Sequence, residues 1–349
     1  MTPDPSGATT SQKSPSMSQL AWQKLRQDNV ALIAMVVILL FGLMMIASRS
    51  GIVASHWSAE VAPSYADPAW HADIIKDKAK TQVGILNPQE DAPIDISDID
   101  PLASRYQELN ERTAKMLQSS AVQASWLPFG ADKWGRDVLS KTIKGAEVSI
   151  SVGILAALLA VIVGTLFGAL AGYFGGAMDD VFEWFYNIFT SIPYILLILA
   201  VAAIFSRGFL TIVLILGLTS WTGIYRLVRA EYMKHSERAY VRAAEALGAS
   251  HASRMFKHIL PNISHVMLVQ YSRYVVDAIK AEVILSFLGL GIPVDMVSWG
   301  SILAETQEEV VIGKWSQIIA AGGSMATLVT AISMLTDSLR DALDPKLNE

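Results

Sequence analysis

Cysteine is absent from the 349 residues, which excludes a disulfide framework, a thiolate metal site and a cysteine nucleophile. Charge is scarce as well. Only 17% of residues are charged, where a soluble domain carries about one quarter. The net charge of −5 has the wrong sign for a nucleic-acid binder, so no nucleic-acid partner is expected. The chain also lacks a G-x-x-x-x-G-K-[ST] phosphate loop, an H-E-x-x-H zinc helix and a G-x-S-x-G elbow. It is not expected to be an enzyme, and no catalytic residue, metal or cofactor is assigned to it. What remains is apolar: 52% of residues are hydrophobic and the mean hydropathy is +0.39. That composition disfavours a soluble enzyme or a disordered chain and points to repeated membrane crossing. Any energy for active transport must then come from an ion gradient or from a separate ATPase.

A bilayer core requires about 20 apolar residues in a helix that satisfies its own backbone. Five stretches meet this without one charged residue: 30–47, 148–171, 184–205, 208–225 and 315–335. A sixth, 266–292, is apolar but carries Arg273, Asp277, Lys280 and Glu282. It counts as a span because 283–292 is too apolar for a solvated loop. The expected fold class is therefore an all-α polytopic membrane protein with six transmembrane helices. The first span follows Lys24 and Arg26 as a signal peptide would. It runs long for such a peptide and lacks a small-x-small cleavage site, so an uncleaved anchor is expected. Residues 1–18, rich in Ser, Thr, Pro and Gln, suit a disordered tail.

Lys and Arg in short loops set the orientation. With the N-terminus inside, segments 1–29, 172–183, 226–262 and 336–349 hold twelve basic residues, against two in 206–207 and 293–314. Both termini are thus expected in the cytoplasm. The chain divides into a tail (1–29), a first helix (30–48), an outside insertion (49–126) and a five-helix core (127–349). The insertion has 11 acidic and 7 basic residues. Trp57, Tyr65, Trp70, Tyr106 and Trp126 and a helical stretch near residues 100–119 suggest a small ordered cap.

Within the spans, Gly164, Gly168 and Gly172 repeat every four residues, with Gly153 and Ala157 earlier. Together they make a smooth strip for close helix approach, or a hinge. Pro193 removes an amide from the third span and is expected to kink it. In the fifth, Arg273, Asp277 and Lys280 share one helix face, while Glu282 lies on another. Intramembrane charges are expensive and face polar cavities or one another. A translocation or gating role and a structural ion-pair role are both open.

The inside loop 226–262 carries seven basic and three acidic residues. From Tyr240 it reads Y-V-R-A-A-E-A-L-G-A-S, then H-A-S-R-M-F-K-H-I-L-P-N. Ala243, Ala244, Ala246 and Leu247 favour a helix that Gly248 can end in a left-handed cap before Ala249. Ser250 can start a second helix, with Pro261 expected to end it. Docking to another protein and lying on anionic lipid fit this pair equally. Four of the six histidines fall in or beside the loop, but without H-x-x-x-H spacing they suit surface roles better than metal binding.

Several strings together resemble the permease subunits of bacterial dipeptide/oligopeptide ABC importers, of the DppC/OppC type. Residues 129–137, F-G-A-D-K-W-G-R-D, are similar to the family's F-G-T-D-x-x-G-R-D through Gly130, Asp132, Gly135, Arg136 and Asp137, with Ala131 in place of Thr. Residues 242–261 resemble the EAA motif and keep Ala243, Ala244, Gly248, Leu260 and Pro261. Arg242 stands where Glu is common, and His258 where Ile is. Residues 282–291, E-V-I-L-S-F-L-G-L-G, and 339–345, L-R-D-A-L-D-P, also fit. The likeness runs from about residue 20 to the end, apart from an insertion longer than usual.

The resemblance implies a type I importer permease fold with 240–249 as the coupling helix, seated in a cleft of an ATPase. Tyr240, Arg242, Ala243, Ala244, Leu247, Gly248, Ala249 and Pro261 would carry that contact. It also implies a heterodimer with a related permease in the inner membrane. Two ATP-binding cassette subunits would hold ATP and Mg, and an extracytoplasmic peptide-binding protein would deliver cargo. The rival class is an ion-coupled secondary transporter, favoured by the charged span but not by any inverted repeat. A membrane-anchored assembly protein would explain the docking loop and leave the intramembrane charges unexplained.

Overall fold

The computed structural model describes residues 17–69, 105, 108 and 126–343. Trp70, Tyr106, the stretch 100–119 apart from residues 105 and 108, and most of the tail lie outside the described residues, as do Asp344 and Pro345. Among the described residues the chain is helical, with only isolated bridges and no strands. The elements are α1 (Met17–Gln27), α2 (Asn29–Arg49), α3 (Val138–Phe174), α4 (Gly176–Thr190), α5 (Tyr194–Ile204) and α6 (Phe209–Thr219). They continue with α7 (Trp221–Ser236), α8 (Ala239–Ala246), α9 (Leu260–Phe287), α10 (Trp299–Val311) and α11 (Ser316–Leu343).

Three helices, α2, α3 and α11, are long and apolar enough to cross a membrane. The pairs α4–α5 and α6–α7 bring the number to five if each bent pair is one span. Of the six expected spans, 184–205 and 208–225 fall on bent pairs, and α9 is not among the helices that meet this measure. At Pro193 the chain does not kink but breaks, turning by 83° between α4 and α5. Proline lacks the N–H and its ring clashes with the preceding turn, and two residues ahead of it complete the break. The second pair bends by 40° at Ser220. The 11 residues of α5 and of α6 give each only about 16 Å of helix, half a bilayer core. The expected fifth span is α9, which begins at residue 260 and ends at Phe287, short of residue 292.

α3 is the axis of the bundle. Asp137 caps it, accepting from the Leu139 and Ser140 amides. Its glycine strip packs as the spacing predicts. A Cβ at Gly164 would stand 2.7 Å from the Trp221 carbonyl, and one at Gly168 2.7 Å from that of Tyr225. At Gly172 it would collide with the Arg229 carbonyl. The strip therefore lets the α7 backbone lie directly on α3. Gly153 likewise makes room for the Ile279 side chain of α9. Around this contact Phe167, Phe185 and Phe189 surround the buried Trp221. Arg229 of α7 clamps Asp179 of α4 through Nε and Nη2.

The start of α2 meets the last turns of α11. Asp28 caps α2, accepting from the Val30 amide, and also accepts from the Ser338 hydroxyl of α11 at 2.5 Å.

Candidate functional site

The loop expected to dock a partner begins with α7, whose last residues lead into α8. Arg242 does not project freely. Its Nε and Nη2 donate to the Glu237 carbonyl at 2.9 and 2.7 Å, closing the corner between α7 and α8. The His235 ring meets the Tyr240 hydroxyl at 2.8 Å, and burial lowers the His235 pKa below its usual value. Val241 and Ala244 are buried, and Val241 joins the cluster with Met255 and Ile259. Ala244 thus anchors the helix, while Ala243, Glu245 and Ala246 lie on its open side and Leu247 is 89% exposed.

Gly248 has φ +84°, the left-handed cap expected of it. Its amide donates to the Glu245 carbonyl at 2.8 Å, and the Ala249 amide to that of Ala244 at 3.0 Å. Ser250 then starts the second helix, its hydroxyl accepting from the Ser253 amide.

Pro261 does not end that helix, contrary to the sequence expectation. Residues His251–Ser253 are α-helical, Arg254–Ile259 form a π-helical turn, and α9 follows without a break. The wider turn makes room for the proline ring and leaves no i−4 bond for proline to miss. The Asn262 side chain donates to the His258 carbonyl at 2.6 Å. Arg254, in the π-turn, pairs with Glu245 of α8, reaches His251 and lies over the Tyr173 ring at the end of α3. One guanidinium therefore joins α8, the second helix and the central axis.

The family-motif residues at the start of α3 form a second constellation. Gly130 and Gly135 have φ +72° and +75°, and a Cβ on either would strike the backbone of the 62–68 segment. Val61 and Ala62 donate to the Gly135 carbonyl, and Tyr65 to that of Asp132, so 127–137 and 61–69 run side by side. Trp57 lies beneath the Arg136 guanidinium, whereas Trp126 is exposed. Asp132, fully buried, accepts from the Trp134 and Arg136 amides and from Lys141 Nζ at 2.7 Å. Lys141 also donates to Glu305 at 2.6 Å and to Gln317 at 3.1 Å, and Gln317 donates to Glu309 at 2.6 Å. This network ties the motif loop to α3, α10 and α11. Lys141, Glu305, Glu309 and Gln317 escaped the sequence reading because the apolar window opened at 148. A lone lysine nine residues after a motif aspartate was the available signal.

Burial pushes the Glu309 carboxyl above the ordinary glutamate value. Its pKa is thus higher folded than unfolded. Its contribution is fully present below the unfolded value and is lost as pH rises through the folded one. Glu309→Gln keeps the acceptor for Gln317. The purified variant is expected to melt above wild type at pH 8, with the gap closing toward pH 4.5. A gap independent of pH would refute that assignment.

Within α9 the charged residues divide. Arg273, Asp277 and Lys280 line an open cavity of about 690 Å³ with Asp337 and Arg340 of α11. The expected self-neutralisation is absent: among the described residues no ion pair within 4.0 Å joins Arg273, Asp277 or Lys280 to one another, although one helix face carries all three. Glu282 points elsewhere. It is fully buried, accepting from Ser149 at 2.7 Å and Ser286 at 2.6 Å, while Ser149 accepts from the Trp299 amide. Its partners are hydroxyls on a packing face, so it takes no part in the cavity. Among the described residues no cluster of His, Asp and Glu could hold a metal ion.

With these arrangements in place, comparison with known proteins is direct. Residues 164–349 match the binding-protein-dependent transport system inner membrane component family. The chain is 32% identical over 249 residues to the oligopeptide transport system permease protein OppC of Bacillus subtilis, covering 71% of this chain and 80% of that one. It is 36% identical over 231 residues to Escherichia coli OppC, covering 66% and 76%. It is 35% identical over 219 residues to the dipeptide transport system permease protein DppC of Bacillus subtilis, covering 63% and 68%. The chain belongs to the binding-protein-dependent inner membrane component family, and is a multi-pass membrane permease subunit.

Proposed function

We propose that this chain is a transmembrane subunit of an ATP-driven importer of peptides, with six spans and both termini in the cytoplasm. The four-part division at residues 29, 48 and 126 belongs to the same reading. A homologous permease completes a heterodimeric pathway. Two ATP-binding cassette subunits, holding ATP and Mg, seat the 240–249 segment, and an extracytoplasmic binding protein delivers the peptide. The observation that carries this reading is the surface of α8: a short exposed helix ending at Leu247, presented by a left-handed glycine and braced by Arg254.

In this account the loaded binding protein docks outside and ATP binding closes the cassettes. Movement of α8 then passes through Arg254 to α3 and α9, and the bundle opens outward to receive the peptide. Hydrolysis resets it inward. Arg242, fixed on the Glu237 carbonyl, sets the angle of α8, which accounts for a cation where the family commonly has a carboxylate.

Gly248→Val tests the coupling role without a packing clash, because no atom lies within 4 Å of the added Cβ. The cost is conformational, of order 1–3 kcal/mol for a β-branched residue held at positive φ. Membrane insertion and yield are expected to be retained while uptake is lost; unchanged uptake would remove the coupling assignment. Energy source separates the rival class. Uptake is expected to persist when an uncoupler collapses the proton gradient with ATP held constant, whereas an ion-coupled transporter stops.

A further inference from the structure

The groove between α9 and α11 is unusual for a membrane protein: it holds five charges that form no ion pair within 4.0 Å among the described residues. Arg273, Asp277 and Lys280 come from α9, Asp337 and Arg340 from α11, and His265 lies along the same wall. All five are exposed. Residues four and three apart on one helix stand about 6 and 4.5 Å apart along its axis. The α9 wall is therefore a ladder of plus, minus, plus at one-turn intervals. Directly across it, α11 offers minus and plus one turn apart. Valines of α9 fill the wall between the charges.

Such a surface is too costly to leave against lipid. Were its purpose structural, Arg273 and Asp277 at i, i+4 would close into a pair, as Arg229 and Asp179 do elsewhere in the chain. They stay open instead, around a space of about 690 Å³. That volume falls within the roughly 300–1,000 Å³ of small-molecule sites. The axial steps of about 4.5 and 6 Å lie within the reach of two extended residues, about 6.6–7.2 Å. We propose, resting on the importer reading above, that this groove is a transit site for a short peptide with both termini charged. Asp277 takes the ammonium, and Arg273 or Lys280 the carboxylate. Asp337 and Arg340 offer the same pair of signs one step toward the cytoplasmic end of α11. Because opposite signs alternate, a zwitterion can be handed along without ever leaving a charge unpaired. A side chain between its termini meets only valine and open space.

The test uses the full chain purified with its co-purifying subunits and without the binding protein. Binding of tritiated alanyl-alanine is measured with and without N-acetyl-alanyl-alanine amide, which has the same shape but neither charge. Saturable binding that the blocked analogue does not displace, weakened at least tenfold by Asp277→Asn, is the expected result. Absence of binding by wild type, equal competition by the blocked analogue, or unchanged binding by Asp277→Asn would overturn the site. If Asp277→Asn does not assemble, Arg273→Gln gives the same reading at the carboxylate end. Loss of the second permease from the purified complex on either substitution would overturn it too, making the groove a subunit interface. Uptake by wild type is scored separately: its absence with binding intact strikes the importer reading and leaves the site standing.

Discussion

Gly168→Leu is expected to leave almost no folded permease in the membrane. The glycine faces α7 at the middle of the strip, where an added Cβ meets the Tyr225 carbonyl at 2.7 Å and the Arg229 amide nitrogen at 3.0 Å. Those are backbone atoms, so no side-chain rotation relieves them. The helices must separate, and the seam from Gly164 to Gly172 opens with them. Overpacking commonly costs about 1–3 kcal/mol, and collision with backbone lies at or beyond the top of that range. Separation would also uncover Trp221 and its ring of phenylalanines and pull Arg229 away from Asp179. The measurement is the midpoint of thermal aggregation in detergent, with Gly323→Ala as the control because nothing lies within 4 Å of its added Cβ. A Gly168→Leu protein that melts with wild type would show that α3 and α7 do not meet through this strip.

Lys141→Met carries the second large effect. Nζ is held by Asp132, Glu305 and Gln317, and the side chain is 1% exposed. Removing the cation leaves Asp132 buried with only backbone amides and the longer Arg136 contact at 3.6 Å. Breaking one side of a buried pair costs about 3–5 kcal/mol, because the remaining charge is uncompensated. Glu305, partly exposed, can turn to water, but Asp132 cannot. The double variant Lys141→Met/Asp132→Asn is therefore expected to recover much of the lost stability, whereas Lys141→Met/Glu305→Gln recovers little. Limited proteolysis near residue 62 reads the same event locally, since the 61–69 segment is held by the carbonyls of this loop. Equal recovery by the two double variants would show that Asp132 is not the group left stranded.

Much of this was legible in the sequence because the signals were local. Charge-free runs located α2, α3 and α11, glycines at four-residue spacing gave the α3 face that meets α7, and Gly248 and Ser250 set the ends of two helices through backbone conformation alone. The misreadings share a cause. Proline predicts a terminator at 261 and a kink at 193, yet it sits in a continuous helix at the first and a full break at the second. What decides is whether a π-turn can widen the helix around the ring, and that depends on the packing of Arg254 and Ile259. Arg273 and Asp277 had the spacing of an ion pair and did not form one; both line the open cavity beside Asp337 and Arg340 of α11. The Lys141 network joins residues up to 176 apart in the chain, and no window of sequence contains it.

The central claim is that the 240–249 surface joins this permease to an ATPase. Its most direct test is a mild-detergent pull-down of the tagged chain from its native membrane, with subunit ratios by mass spectrometry. The account predicts one homologous permease and two phosphate-loop ATPases per chain, with the ATPases lost when residues 242–248 are changed and the permease pair retained. A chain that purifies alone and still transports after reconstitution would contradict it.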